Sequence, residues 1–191
     1  GEATVTSSLT FTSANWDTPQ SVTVTGADDN IIDGSVTSNI TVSIDDGSSD
    51  NAFDAVADQT VSVTTTDDDV AGFTIAETDG STSVTEAGST DLFTVVLNAQ
   101  PTTDVVLSIS SSDTGEATVT SSLTFTSANW DTAKTVTVTG VDDDIIDGTQ
   151  TSTITVSIID GISDNAFDAV ADQTVSAVSY THLRAHETAT Y

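Results

Sequence analysis

The stretch Thr135-Val136-Thr137-Val138-Thr139 alternates hydroxyl and apolar β-branched side chains without a break. Successive side chains of an extended strand point to opposite faces, so this pattern puts valine on one side and threonine on the other. A helix would scatter the same valines around its axis. Thr153-Ile154-Thr155-Val156-Ser157-Ile158 keeps the same alternation. Period-two patterning rich in Val, Ile and Thr recurs throughout and no helical period does, so the chain is expected to be all-β with one face of each strand buried.

A repeat supplies the second constraint. Residues 1–62 match residues 115–176 at an offset of 114, with 52 identities in 62 positions. A period of that length is a domain per repeat rather than a solenoid turn. Residues 70–176 are expected to be one nearly complete unit, and residues 1–69 the truncated C-terminal part of another, holding only its final four strands. That part should form an open sandwich with exposed edges and lower stability. The match stops after Ser176, where Ala177–Tyr191 takes over. This tail resembles a translated sequencing-library adapter, so it is set aside as non-native, together with His182 and His186.

Within 70–176 the expected strands are Gly72–Ile75 and Thr82–Thr85 (one strand broken at Thr78-Asp79-Gly80), Leu92–Leu97, Val105–Ile109, Ala117–Thr126 with a bend at Ser121-Ser122, Thr135–Thr139, Thr153–Ile158, and one opening at Gln173. Asn98-Ala99-Gln100-Pro101 turns the chain where no ladder donor is needed. A helical turn is expected over Phe167–Ala171. Seven or so short strands separated by turn signals describe an immunoglobulin-like β-sandwich, here in tandem.

Charge narrows the function. Thirty Asp and Glu against two Lys and Arg give a formal charge of −28. Such a surface repels nucleic acid and anionic membrane and attracts cations. No apolar run approaches the ~20 residues of a membrane span. Cysteine is absent, so metal ions are the remaining cross-link in an extracellular protein. The carboxylates are also clustered, in Gly140-Val141-Asp142-Asp143-Asp144-Ile145-Ile146-Asp147-Gly148, in its earlier counterpart Gly26–Gly34 with Asp28, Asp29 and Asp33, and in Asp67-Asp68-Asp69. Like charges cost ~1 kcal/mol per pair at ~4 Å in water and more where water is scarce. Solvated hairpin tips would account for any one such run, since Asp favours turns. Recurrence at equivalent positions favours Ca2+, which takes six to eight oxygens.

Glu86-Ala87-Gly88 after Val84-Thr85, the apolar strand to Leu97, Leu123-Thr124-Phe125, and Val136-Thr137-Val138 leading into Asp142-Asp143-Asp144-Ile145-Ile146-Asp147 together resemble a Calx-β domain. Thr64-Thr65-Thr66-Asp67-Asp68-Asp69-Val70-Ala71-Gly72 resembles the junction between tandem members of that family. The resemblance implies several Ca2+ at one end of the sandwich. Its ligands would be Glu86, Glu116, Asp142, Asp143 and Asp147 in the second unit, with Asp113 as the alternative to Glu116. In the first unit it implies Glu2, Asp28, Asp29, Asp33 and the junction residues Asp67, Asp68 and Asp69. Neither set is whole here, because the first unit lacks the first-strand Glu and the second lacks the junction triad.

Other chemistry has less support. Trp16 and Trp130, each in Ser-Ala-Asn-Trp-Asp-Thr, could stack on sugars, but their fixed place after an alternating strand favours a cap on the core. Asp164-Asn165-Ala166-Phe167-Asp168 lacks the glycine and final Glu of an EF-hand and reads as a turn. Outside the tail there is no His or Cys and a single Lys, Lys134, so no enzyme is expected. The expected function is a calcium-binding extender repeat of a large secreted or surface-attached bacterial adhesin, partnered by adjacent repeats of its own chain. The alternative is a module that binds a surface glycan or protein.

Overall fold

The computed structural model describes residues 2–181. His182 and His186 lie outside the described residues. The chain divides into two compact units, Gly1–Asp68 and Asp69–Tyr191.

The first unit contains β1 (Ala3–Val5), β2 (Val24–Gly26), β3 (Val36–Val42) and β4 (Gln59–Thr65). They form two separate antiparallel pairs, β1 with β2 and β3 with β4. No apolar residue of this unit is buried among those described.

The second unit is a two-sheet sandwich. Its strands are β5 (Phe73–Glu77), β6 (Thr82–Thr85), β7 (Thr90–Leu97), β8 (Val105–Ser111), β9 (Ala117–Val119), β10 (Ser122–Phe125), β11 (Lys134–Gly140), β12 (Gln150–Ile158) and β13 (Gln173–Tyr180). One sheet has the order β5-β7-β11-β9, the other β10-β8-β12-β13-β6. All neighbours are antiparallel except β6 and β13. The inner faces carry Phe93 and Val95 of β7, Val136 and Val138 of β11, Leu107 of β8, and Ile154 and Val156 of β12, all fully buried. These are the residues the alternation assigns inward, so the all-β sandwich read from the sequence is the fold observed.

Nine strands replace the expected seven because two of them change sheets. The broken first strand puts β5 in one sheet and β6 in the other. Asp79 and Gly80, with φ of 56° and 77°, make the left-handed corner between them. Likewise β9 and β10 lie on either side of the expected bend and join different sheets. Splitting a strand in this way lets one segment protect an edge of each sheet.

Two expectations shift. The helical turn is a short 3-10 segment at Asn165–Phe167, slightly earlier than expected, because Asp164 caps it by accepting from Ala166 N at 3.0 Å. The last strand continues past Ser176 to Tyr180, four residues into the segment set aside. Val175, Ala177 and Ser179 maintain the inward alternation, and all three are buried.

The first unit repeats the local structure of the second without its core. The register Ala3↔Gly26 reproduces Ala117↔Gly140, and Val36↔Thr65 reproduces Gln150↔Ser179. Yet Phe11 is 54% exposed where Phe125 is 0%, and Phe53 is 54% exposed where Phe167 is 0%. The strands that cover these residues in the second unit are β5–β8.

Candidate metal centre

Three turns meet at one end of the second unit. The first follows β6 and carries Glu86. Gly88 closes it with φ 82°, and its N–H donates to the Thr85 carbonyl at 3.0 Å. The second precedes β9 and carries Glu116. The third joins β11 to β12 and carries Asp142, Asp143 and Asp147. Gly140, the last residue of β11, holds them together: its N–H donates to Ser89 O at 3.0 Å, and the next N–H, of Val141, donates to Glu116 O at 3.0 Å. Only glycine fits there, since an added Cβ would clash with the Thr85 carbonyl and lie 2.8 Å from its carbon.

Carboxylate oxygens of Glu116, Asp143 and Asp147 lie within 4.8 Å of one another, the one such group of three among the described residues. Glu116 is buried, Asp143 half-buried and Asp147 exposed. Glu86 is not in that group; it is also buried, and its charge acts on Glu116. One oxygen of Glu86 and one of Glu116 are fully inaccessible and without a hydrogen-bond partner, as is the Ser179 hydroxyl. Burying a carboxylate oxygen without a donor is costly. Burial pushes the Glu116 carboxyl above its ordinary value, and the charges of Asp147, Asp143 and Glu86 push it further up. The nearby Ser179 hydroxyl acts in the opposite direction, although its geometry falls short of a hydrogen bond.

Among the described residues no side-chain cation relieves this charge. Lys134, the single basic residue described, sits at the opposite end of β11, six residues or ~20 Å of strand from Gly140. Its ammonium donates to Thr124 O and stacks 4.8 Å from the centre of the Phe125 ring.

A divalent cation fits the donor set. Two oxygens bound to one Ca2+ at ~2.3–2.6 Å are no more than about 5 Å apart, which is the spread of the three carboxylates. Their hard oxygen chemistry suits Ca2+ rather than a soft metal.

The structure also separates the residues the sequence could not rank. Glu116 enters the cluster and Asp113 does not. Asp113 is exposed and spends Oδ1 on Gly115 N, 2.9 Å away, within its own turn. Asp143 Oδ1 accepts from Ile145 N at 2.8 Å, which bends the loop and presents the carboxylate inward. Asp142 lies exposed in the same loop. In the first unit Asp29 makes the equivalent bond to Ile31 N at 2.8 Å, and Asp67 Oδ2 accepts from Gly34 N at 2.7 Å. The junction residue Asp67 therefore reaches the loop holding Asp28, Asp29 and Asp33. Asp68 is exposed and Asp69 half-buried. In the second unit Thr181 occupies the place of Asp67 and donates to Gly148 O at 2.5 Å.

Ser179 was missed because it falls in the tail, although the inward alternation through Val175 and Ala177 points to it. Asp164 is the other carboxylate the sequence undervalued. Burial raises its pKa, but hydrogen bonds from Thr103, Ala166 and Thr102 outweigh that and hold it below the usual carboxylate range. It ties Thr102, Thr103 and Ala166 together and is structural. Trp130 is half-buried, as a cap on the core should be, whereas Trp16 is exposed in the unit without a core.

No family profile matches the chain and no curated protein matches it in sequence. Among solved structures this chain is similar to the apo-form Calx CBD1 domain, at 13% identity and TM-score 0.41, covering 58% of this chain and 98% of that one. The S-layer protein SbsC domains 4 and 5 match at 21% identity and TM-score 0.41, covering 78% of this chain and 58% of that one. The E. coli chaperone DraB matches at 10% identity and TM-score 0.42, covering 59% of this chain and 56% of that one. This chain thus spans little more than half the length of DraB and of the SbsC fragment. Among the described residues no helix is long and apolar enough to cross a membrane.

Proposed function

We propose that this chain is a calcium-binding structural repeat of an extracellular protein, its cations holding the acidic end of each sandwich together. The observation that carries the reading is the inaccessible, unpartnered oxygen of Glu116 in the group with Asp143 and Asp147, with a second such oxygen on the buried Glu86. Glu86, Glu116, Asp143 and Asp147, with Asp142 from the same loop, would hold the ion. Bound Ca2+ would supply positive charge that no described side chain provides there.

The chain's own residues do the rest. Gly140 fixes the distance between the Glu86 turn and the Glu116 turn, and the Asp143 Asx turn aims the third group. Glu86 comes from the segment before β7, and the other ligands come from the turn before β9 and the loop after β11, so a shared ion would tie the two halves of the sandwich. In the first unit the reading assigns Glu2, Asp28, Asp29, Asp33, Asp67 and Asp68 to the equivalent set, and it includes Asp69, the next residue in sequence. Ions there would stiffen the junction with the next repeat, as suits an extender in a secreted or surface-attached adhesin.

Calorimetric titration with Ca2+ at moderate ionic strength tests this. Uptake that Glu116→Gln abolishes is expected. No heat and no change in melting temperature with millimolar Ca2+ would refute it.

A further inference from the structure

Three inaccessible side-chain atoms lack a hydrogen-bond partner among the described residues: Glu86 Oε1, Glu116 Oε2 and Ser179 Oγ. Two are carboxylate oxygens, which accept when ionised, and the third is a hydroxyl, which can donate. Protein interiors pair such groups, because each one left over costs free energy. Resting on the calcium reading of this end, we propose that Ser179 is a positioning residue for the metal centre. Its hydroxyl donates to the Glu116 carboxylate and holds that group in place for the cation.

Strand pairing delivers the hydroxyl to this spot. Ser179 faces the core from β13 and is 2% exposed. β13 runs parallel to β6 with Ser179 opposite Val84, and Glu86 N–H donates to Tyr180 O at 3.3 Å. On its other side Ser179 pairs with Gln150, whose side-chain amide donates to Asp147 O at 3.0 Å. Ser179 therefore stands between the segment carrying Glu86 and the loop carrying Asp147. Glu116 comes from the facing sheet, next to Ala117 of β9. The hydroxyl favours the ionised form of Glu116 against the burial that opposes it.

The first unit carries the same pairing of groups. The registers Val36↔Thr65 and Gln150↔Ser179 put Thr65 where Ser179 stands. A hydroxyl thus occupies the position in both copies, although their sequences diverge after Ser62 and Ser176. Glu2 is the counterpart of Glu116, and Thr65 Oγ1 donates to Glu2 O at 3.0 Å. The hydroxyl reaches the same glutamate in each unit, at its carbonyl in the first and beside its carboxylate in the second.

A carboxylate that gives one oxygen to a cation leaves the other needing a donor, and solvent does not reach Glu116 Oε2. Donors behind the ligands orient them, and losing one costs ~10–100-fold in metal affinity.

The test compares the full chain with its Ser179→Ala, Ser179→Thr and Ser179→Val variants, by Ca2+ titration calorimetry and by melting in chelator. Ser179→Ala should bind Ca2+ ~10-fold more weakly. It should melt no lower than the parent in chelator, since it removes a buried hydroxyl that has no partner. Thr and Val have the same shape and differ by the hydroxyl, so Ser179→Thr should bind ~10-fold more tightly than Ser179→Val, whatever the added bulk costs both. Ser179→Ala binding Ca2+ as tightly as the parent would overturn the proposal and leave the calcium reading standing. A lower melting temperature for Ser179→Ala in chelator would mark a structural role and overturn it too. So would equal binding by Ser179→Thr and Ser179→Val, which assigns the effect to packing. A parent that takes up no Ca2+ would overturn the calcium reading and this inference together.

Discussion

Gly140→Ala is the substitution with the most determinate outcome. The added methyl would sit 2.8 Å from the carbonyl carbon and 3.2 Å from the nitrogen of Thr85, all backbone, so no side chain can move aside. β11 must move away from the end of β6, and with it go the Gly140 N–Ser89 O and Val141 N–Glu116 O bonds. Overpacking costs ~1–3 kcal/mol, and two weakened backbone bonds add about 1 kcal/mol each. The expected loss is about 3–5 kcal/mol of the second unit's stability. Urea unfolding followed through Trp130, with Trp16→Phe as background, measures it. The repeat supplies its own control: at Gly26 an added Cβ meets only the Thr65 methyl at 3.4 Å, an ordinary contact, so Gly26→Ala should change stability by less than about 0.5 kcal/mol. Should Gly140→Ala fall within about 0.5 kcal/mol of the parent, as substitutions at ordinary surface sites do, the close approach of β11 to β6 would be wrong. The geometry of the metal centre would fall with it.

Glu116→Gln should raise the melting temperature in chelator, by removing a buried charge beside Asp147, Asp143 and Glu86, and should abolish the rise produced by Ca2+. A fall in chelator would contradict that electrostatic account. In the parent, Ca2+ at 100 times its dissociation constant should add ~2.7 kcal/mol to unfolding free energy, readable as a melting shift reversed by chelator. The raised Glu116 pKa sets a sign for pH dependence without metal. The folded state holds this proton more tightly than the unfolded one, so the contribution is present below the ordinary value of 4.5 and is lost as pH rises through the raised one. Chelator melts should show this slope in the parent and not in Glu116→Gln. Asp164→Ala strands the donors of Thr102, Thr103 and Ala166 and should cost about 3 kcal/mol or more in urea unfolding. Its depressed pKa stabilises the fold above the usual carboxylate value, a contribution lost as pH falls through the depressed one.

The site was legible only in part. Spacing and recurrence marked the acidic loop, and the Calx-β resemblance added Glu86. Asp113 spends its carboxylate on Gly115 N within its own turn while the buried Glu116 joins Asp143 and Asp147, a difference that spacing alone does not encode. Ser179 lies beyond the break in repeat identity at Ser176, whereas the strand needs only an apolar or small residue at every second position to continue to Tyr180.

Residues 51–53 and 165–167 separate the two kinds of information. Both read Asn-Ala-Phe, both form a 3-10 turn, and both are capped by an Asp that accepts from the Ala N–H at 3.0 Å. Local sequence therefore determined the turn and its cap, because those interactions span a few residues. It did not determine that Phe167 is core and Phe53 surface. Burial is decided by which other strands arrive, and β5–β8 cover the one and not the other.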